Sequence, residues 1–155
     1  MAEFNAEILS QVENLNPGDY AIYCIENGRL IMIAFSSGLP GLSGLTKDEY
    51  VERTKENAVA IVLEADKHQI CEKIGEIIQN QDKPVFVTYR IIHKEFGFIW
   101  VRAKAKIIGS KEGNPVIIVS FATMAAEAHE YTNLLNSNAM SIYVIDQNTY
   151  ELLFV

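Results

Sequence analysis

The chain is short of three things: cysteine, basic charge and long apolar runs. Its 155 residues include only two cysteines, Cys24 and Cys71, and neither belongs to a CxxC pair. That excludes a disulfide framework and zinc-ligand spacing, and it predicts reduced thiols in a cytoplasmic setting. Against 20 acidic residues stand 13 basic ones, giving a formal charge of -7 and a pI near 4.9. Phosphate neutralisation needs a basic footprint that is missing here, so nucleic acid and anionic membrane are excluded as partners. No uncharged apolar run approaches the roughly 18 residues of a membrane span. The opening MAEFNAEILSQVEN is acidic where a secretory signal is basic and then apolar. The expectation is a soluble piece without direct membrane contact, whatever anchors a larger parent protein.

What is present suits one globular domain with appendages: 49% hydrophobic residues against 21% charged can build a core. Phe4, Ile8, Leu9, Val12 and Leu15 share one helical stripe, and Asn16-Pro17-Gly18-Asp19 stops that helix. The stripe is too apolar for a lone exposed helix, so it buries against its own sheet or a second subunit. Two apolar runs then flank Asn27-Gly28, a strong hairpin signal, predicting strands at about 20–25 and 29–35.

After the glycine-rich SSGLPGLSGL, Thr46 with Glu49 forms a capping box for a helix near 46–54, and a short helical stretch follows near 57–64. Asp66 is placed to cap the longest helix, 67–81, where Ile70, Ile74, Ile77 and Ile78 recur at helical spacing. Three strand runs complete the region. In the middle one Ile99, Val101, Ala103, Ala105 and Ile107 alternate with Phe98, Trp100, Arg102, Lys104 and Lys106, so one face is core and the other meets solvent or a partner. From Met124 a narrow seam of Met124, Ala128, Tyr131 and Leu135 predicts a further helix.

Two stretches a domain length apart match one another: AIYCIENGRLIMIAF from Ala21 and SIYVIDQNTYELLFV from Ser141. Each is a small residue, Ile-Tyr, an apolar residue, Ile and an acid, then a polar turn and apolar residues. The economical reading is a tandem array whose second copy stops after its first hairpin. The expected organisation is a cap helix at 1–17, a domain at 18–123, a linker helix at 124–138 and the truncated start of a second domain at 139–155.

The element order resembles a PAS domain. The stretches that carry the resemblance are GLTKDEYVERT, LEADKHQI, and TYRIIHKEFGFIWVRAKAKI with Tyr89, Arg90, Gly97, Trp100 and Val101. Where the family often has Asp-Gly in this hairpin the chain has Phe96-Gly97, and where it often ends on Asp-Ile-Thr the chain has Phe121-Ala122-Thr123. The resemblance implies an α+β PAS fold: an antiparallel five-stranded sheet with helices on one face, plus flanking N- and C-terminal helices. It also implies a sensory or dimerisation module of a multidomain signalling protein, with a C-terminal output such as a cyclic-di-GMP enzyme or histidine kinase. A homodimer and a small-molecule ligand are the expected partners.

The residues leave the ligand's identity open. Cys71, in HQICEKI, does not match the Asn-Cys-Arg-Phe-type motif of the family's flavin photosensors, so flavin–cysteine photochemistry is not expected. His68 lies on the first turn of the long helix, where haem sensors carry a ligand, but beside Lys67 and Gln69 it reads as solvated, and haem is not expected. His93 and His129 read as surface residues, and no nucleophile–base pair can be named. Tyr89 points toward the predicted core, while Ala103 and Ala105 leave the neighbouring strand small. Together they line a cavity, or else a helix packs closely over the alanines. A dimerisation module without ligand is the alternative function. A small cone-shaped enzyme of the ketosteroid-isomerase type is the other alternative, but it needs an acid or base in an apolar pocket, and the core-facing strand positions carry no Asp or Glu.

Overall fold

The structure, a computed structural model, describes residues 2–15, 17–124, 143–145 and 152–154. Helix α1 (Ala6–Asn14) opens where Asn5 Oδ1 accepts the Ile8 amide at 3.0 Å, the usual role of an N-cap side chain. It starts beyond Phe4 because the preceding residues run extended beside Ser110. The Phe4 amide donates to the Ser110 carbonyl, and the Ser110 amide donates to the Ala2 carbonyl at 2.8 Å.

Strands β1 (Asp19–Glu26) and β2 (Arg29–Phe35) form the predicted hairpin, with Asn27 and Gly28 at φ of 52° and 75°. Both central residues of a type I′ turn take positive φ, which Asn and Gly tolerate. Strands β3 (Val85–His93), β4 (Gly97–Lys111) and β5 (Asn114–Thr123) form a meander. The five strands build one antiparallel sheet in the order β2-β1-β5-β4-β3. The last strand therefore lies beside the first, pairing Tyr23 with Ile117 and Ala21 with Val119.

The inner face of the sheet holds the main core. Val101 and Ala103 are buried there, and Ile99, Ala105 and Ile107 pack against it, while Phe98, Arg102, Lys104 and Lys106 stay exposed on the other face. Helix α2 (Lys47–Thr54) begins with the predicted capping box: Thr46 Oγ1 accepts the Glu49 amide at 3.2 Å, and Glu49 Oε1 accepts the Thr46 amide at 3.1 Å. The helical stretch expected near 57–64 is instead two 3₁₀ turns, Ala58–Ile61 and Glu64–Asp66. Asn57 Oδ1 accepts from both Val59 and Leu30, tying the first turn to the β1–β2 hairpin.

Helix α3 (Lys67–Gln79) buries Ile70, Ile74 and Ile77 against the sheet, whereas Ile78 is exposed. Truncating Ile77 to alanine would cost about 2–5 kcal/mol, the range for a buried aliphatic side chain. Asp66 stands at the N-cap position but makes no side-chain cap bond. The 3₁₀ turn that ends on it leaves its backbone in the right-handed helical region (φ -100°, ψ -7°), not the extended one that aims a capping oxygen at the first turn. Its carboxylate turns to Arg90 instead.

The apolar stripe of α1 buries against its own sheet, on the outer face. Phe4 and Leu9 pack on Tyr20, Ile22, Cys24 and Val116, and Val12 is buried, but Leu15, at the helix end, stays 81% exposed. From Met124 onward the chain forms a separate unit, in which β6 (Tyr143–Ile145) pairs antiparallel with β7 (Leu152–Phe154). The predicted linker helix, its seam beyond Met124, and His129 lie outside the described residues. Among the described residues no helix is long and apolar enough to cross a membrane.

Candidate functional site

A cavity of about 70 Å³ lies between the inner face of the sheet and the helical cover. Tyr89, Ala103 and Ala105 all line it. In register, Ala103 pairs with Val87 and Ala105 with Val85, while Tyr89 pairs with Val101. The two small residues sit where larger ones would fill the space, and the isoleucines of α3 form the opposite wall. The rest of the lining is mostly aliphatic, with Phe121 and Lys73 among it, and no carboxylate or histidine lines the cavity. An acid–base site of the ketosteroid-isomerase kind has no candidate group here.

Apart from Lys73, the polar side chains are hydroxyls. Tyr23 on β1 and Tyr50 on α2 join Tyr89 around the cavity. Burial pushes the Tyr50 phenol up to about 12, although the nearby Tyr23 hydroxyl pulls the other way. It pushes Tyr89 and Tyr23 up as well, with Tyr50 adding to both. All three remain neutral phenols at neutral pH, able to donate or accept. Phe35 braces Tyr50, their ring centroids 5.3 Å apart.

Ser43 supplies the fourth hydroxyl, from the 3₁₀ turn Leu39–Ser43. The Ser43 carbonyl accepts the Lys94 amide at 3.0 Å, fastening this turn to the β3–β4 connection. His93 adds to the same junction and corrects the expectation of a surface histidine. It is buried, stacks on Phe96 at 4.4 Å, and its Nδ1 accepts the amides of Glu95 and Phe96 at 3.0 and 3.1 Å. Gly44, at φ +69°, lies so close that an added Cβ would come 2.8 Å from the imidazole. The strand alternation hid this, because the ring serves the turn that follows it.

The other sequence candidates sit elsewhere. His68 is exposed and 3.1 Å from Glu72, and it does not line the cavity. Cys71 is exposed, while Cys24 is buried in the outer-face cluster against which Phe4 and Leu9 pack, and burial pushes its thiol up. No group of His, Cys, Asp and Glu that could hold a metal ion occurs among the described residues. Sequence reasoning missed Tyr23, Tyr50 and Ser43. Period-2 alternation with Ala21 and Ile25 was a signal for Tyr23; Ser43, in a glycine-rich connection, gave none.

Comparison with solved structures returns the same architecture. The LOV domain of a blue-light activated histidine kinase from Erythrobacter litoralis is 14% identical, with a TM-score of 0.54 over 70% of this chain and 96% of that one. A sensory box histidine kinase/response regulator from Burkholderia thailandensis is 11% identical, with a TM-score of 0.52 over 84% and 95%. The PAS-B domain of Drosophila melanogaster Cycle, with bound ethylene glycol, is 12% identical, with a TM-score of 0.52 over 69% and 100%. No curated protein matches the chain. A sequence profile of the PAS fold matches residues 33–122, from β2 through the meander. That stretch is more than half of the chain, and the chain belongs to the PAS fold family.

Proposed function

We propose that the chain is a sensory module of a cytoplasmic multidomain signalling protein, and that its cavity is the sensing site. The observation that carries this reading is the apolar space walled by Ala103 and Ala105 and edged by hydroxyls. Small-molecule sites have this character: mostly apolar walls with a few placed polar groups. A ligand there touches both the sheet and α3, so it can shift the balance between two packings of the cover. Support of a coarser kind comes from the similar structures, one of a sensory box histidine kinase/response regulator and one with bound ethylene glycol. The output is a C-terminal partner domain such as a histidine kinase or a cyclic-di-GMP enzyme. The β6–β7 hairpin, whose sequence matches that of β1–β2, is the opening of a second domain copy.

The test is the mass and absorbance spectrum of natively purified protein, followed by Ala103→Leu. Filling open space should leave the melting temperature unchanged or raised and should abolish retention of any co-purified molecule. Overpacking a full core would instead cost about 1–3 kcal/mol. A destabilised variant, with no molecule found in the parent protein, would count against the cavity as a sensing site.

A second reading is a ligand-free dimerisation module, and one observation favours it. On the β3–β4 side of the outer face, Phe86 and Phe98 remain 53% and 43% exposed. Light scattering of the parent protein and of Phe98→Asp separates the two readings: a dimer lost in the variant supports pairing through this face.

A further inference from the structure

Among the described residues, Ser43 Oγ is the one buried side-chain polar atom without a hydrogen-bond partner. The residue is 1% exposed and lines the cavity. Its backbone is held, because its carbonyl accepts the Lys94 amide and the next residue, Gly44, is packed against His93, so only its side chain is free to turn. A buried hydroxyl left unpaired is costly, and the groups that satisfy it are normally found beside it. Ser43 borders the cavity, while its Oγ is closed off from a water-sized group in the packing seen, so a turn about χ1 is what brings the hydroxyl to a ligand there.

Charge and size narrow what can satisfy it. Apart from the three phenols, Lys73 is the only ionisable residue at the cavity, and its ammonium is engaged by Glu76 at 3.2 Å. An ionised ligand would lose its hydration and find no free counter-charge. The open volume of about 70 Å³ is well above the roughly 10–15 Å³ that a single water needs, so it admits a small organic molecule but not an extended one. Resting on the sensing-site reading above, we propose that the cavity takes a compact, neutral, single-ring ligand whose one polar atom pairs with Ser43 Oγ. Phenols and small aromatic alcohols or ketones have this chemistry; carboxylates and amines do not.

Heteronuclear NMR titration of the full chain with phenol, toluene and benzoate at pH 7 tests the assignment. Phenol should shift amides around Ser43 and Ala103 and bind at least tenfold more tightly than toluene, and benzoate should leave them unmoved. Ser43→Ala should erase the phenol advantage while keeping toluene binding. Ser43→Cys, nearly the same size with a weaker donor, should narrow that advantage and serves if the alanine variant does not fold. Equal binding of phenol and toluene, unaffected by either variant, would overturn the role of Ser43 and leave the cavity as a binding site. Benzoate binding as tightly as phenol would overturn the neutral class alone. If none of the three probes shifts a cavity amide, both this inference and the sensing-site reading fall.

Discussion

Asp66 and Arg90 bind the start of α3 to β3 through three hydrogen bonds onto one carboxylate. Arg90 Nη2 donates to Oδ1 at 2.7 Å and Nε to Oδ2 at 3.0 Å, while the Arg90 amide reaches Oδ2 at 2.8 Å. The guanidinium also lies over the rings of Trp100 and Phe98, at 5.1 and 5.6 Å from their centroids. A bidentate, stacked arginine has a rigid geometry that lysine cannot copy. One clamp thus couples the helix that walls the cavity to the strand that carries Tyr89.

The clamp predicts a pH-dependent stability. Its hydrogen bonds hold Asp66 below the usual carboxylate range, outweighing the effect of burial. A depressed folded value means the contribution is complete above the unfolded value of about 3.9 and is lost as pH falls through the folded one. Asp66→Asn should cost about 1.5–3 kcal/mol at pH 7. In urea melts, the gap between parent and variant should close steadily below about pH 4. A gap that is constant from pH 7 to pH 2 would show that charge plays no part.

Gly44→Ala should be destabilising by about 1–3 kcal/mol. Its φ of +69° disfavours any Cβ, and that atom would sit 2.8 Å from His93 Cε1. Because the same residue follows Ser43, the β3–β4 turn should loosen with it. Faster amide exchange at Lys94, in step with a lower melting temperature, is the expected result.

Alkaline pH should weaken the fold through its phenols. The raised folded values of Tyr23, Tyr50 and Tyr89 mean that their contribution is intact below the unfolded value of about 10 and is lost as pH rises above it. Denaturant midpoints should therefore fall between about pH 10 and 12, in parallel with tyrosinate absorbance. Tyr50→Phe should lose less stability than the parent protein on going to pH 12, because one raised phenol is gone.

The two thiols report on α1. Cys71 is exposed and should react at once with a thiol reagent, while Cys24, buried in the cluster that Phe4 and Leu9 pack against, should react only after local opening. Leu9→Asp should speed the Cys24 reaction at least tenfold and leave Cys71 unchanged. Equal rates for both thiols in the parent protein would mean that the helix does not cover this face.

Local chemistry set the elements. Asn27-Gly28 closes its hairpin because both residues tolerate positive φ, Thr46 and Glu49 start α2 by serving each other's amides, and period-2 alternation along β4 separates core from solvent. Each signal acts within a few residues, so each can be read along the chain. Tyr89, Ala103 and Ala105 were legible as inner-face residues for the same reason, since alternation puts them there.

Only the tertiary structure decided what those elements enclose. Pairing of β1 with β5 brings Tyr23 into the main core, and closure of α2 over the sheet brings Tyr50 to it from the other side. Asp66 had the sequence position of a cap, yet a partner 24 residues on claimed its carboxylate. His93 looked like a surface residue until the Leu39–Ser43 turn closed over it. Strand pairing and burial depend on contacts far apart in sequence, whose loop-closure cost is met only when the whole sheet forms, so no window of neighbouring residues contains them.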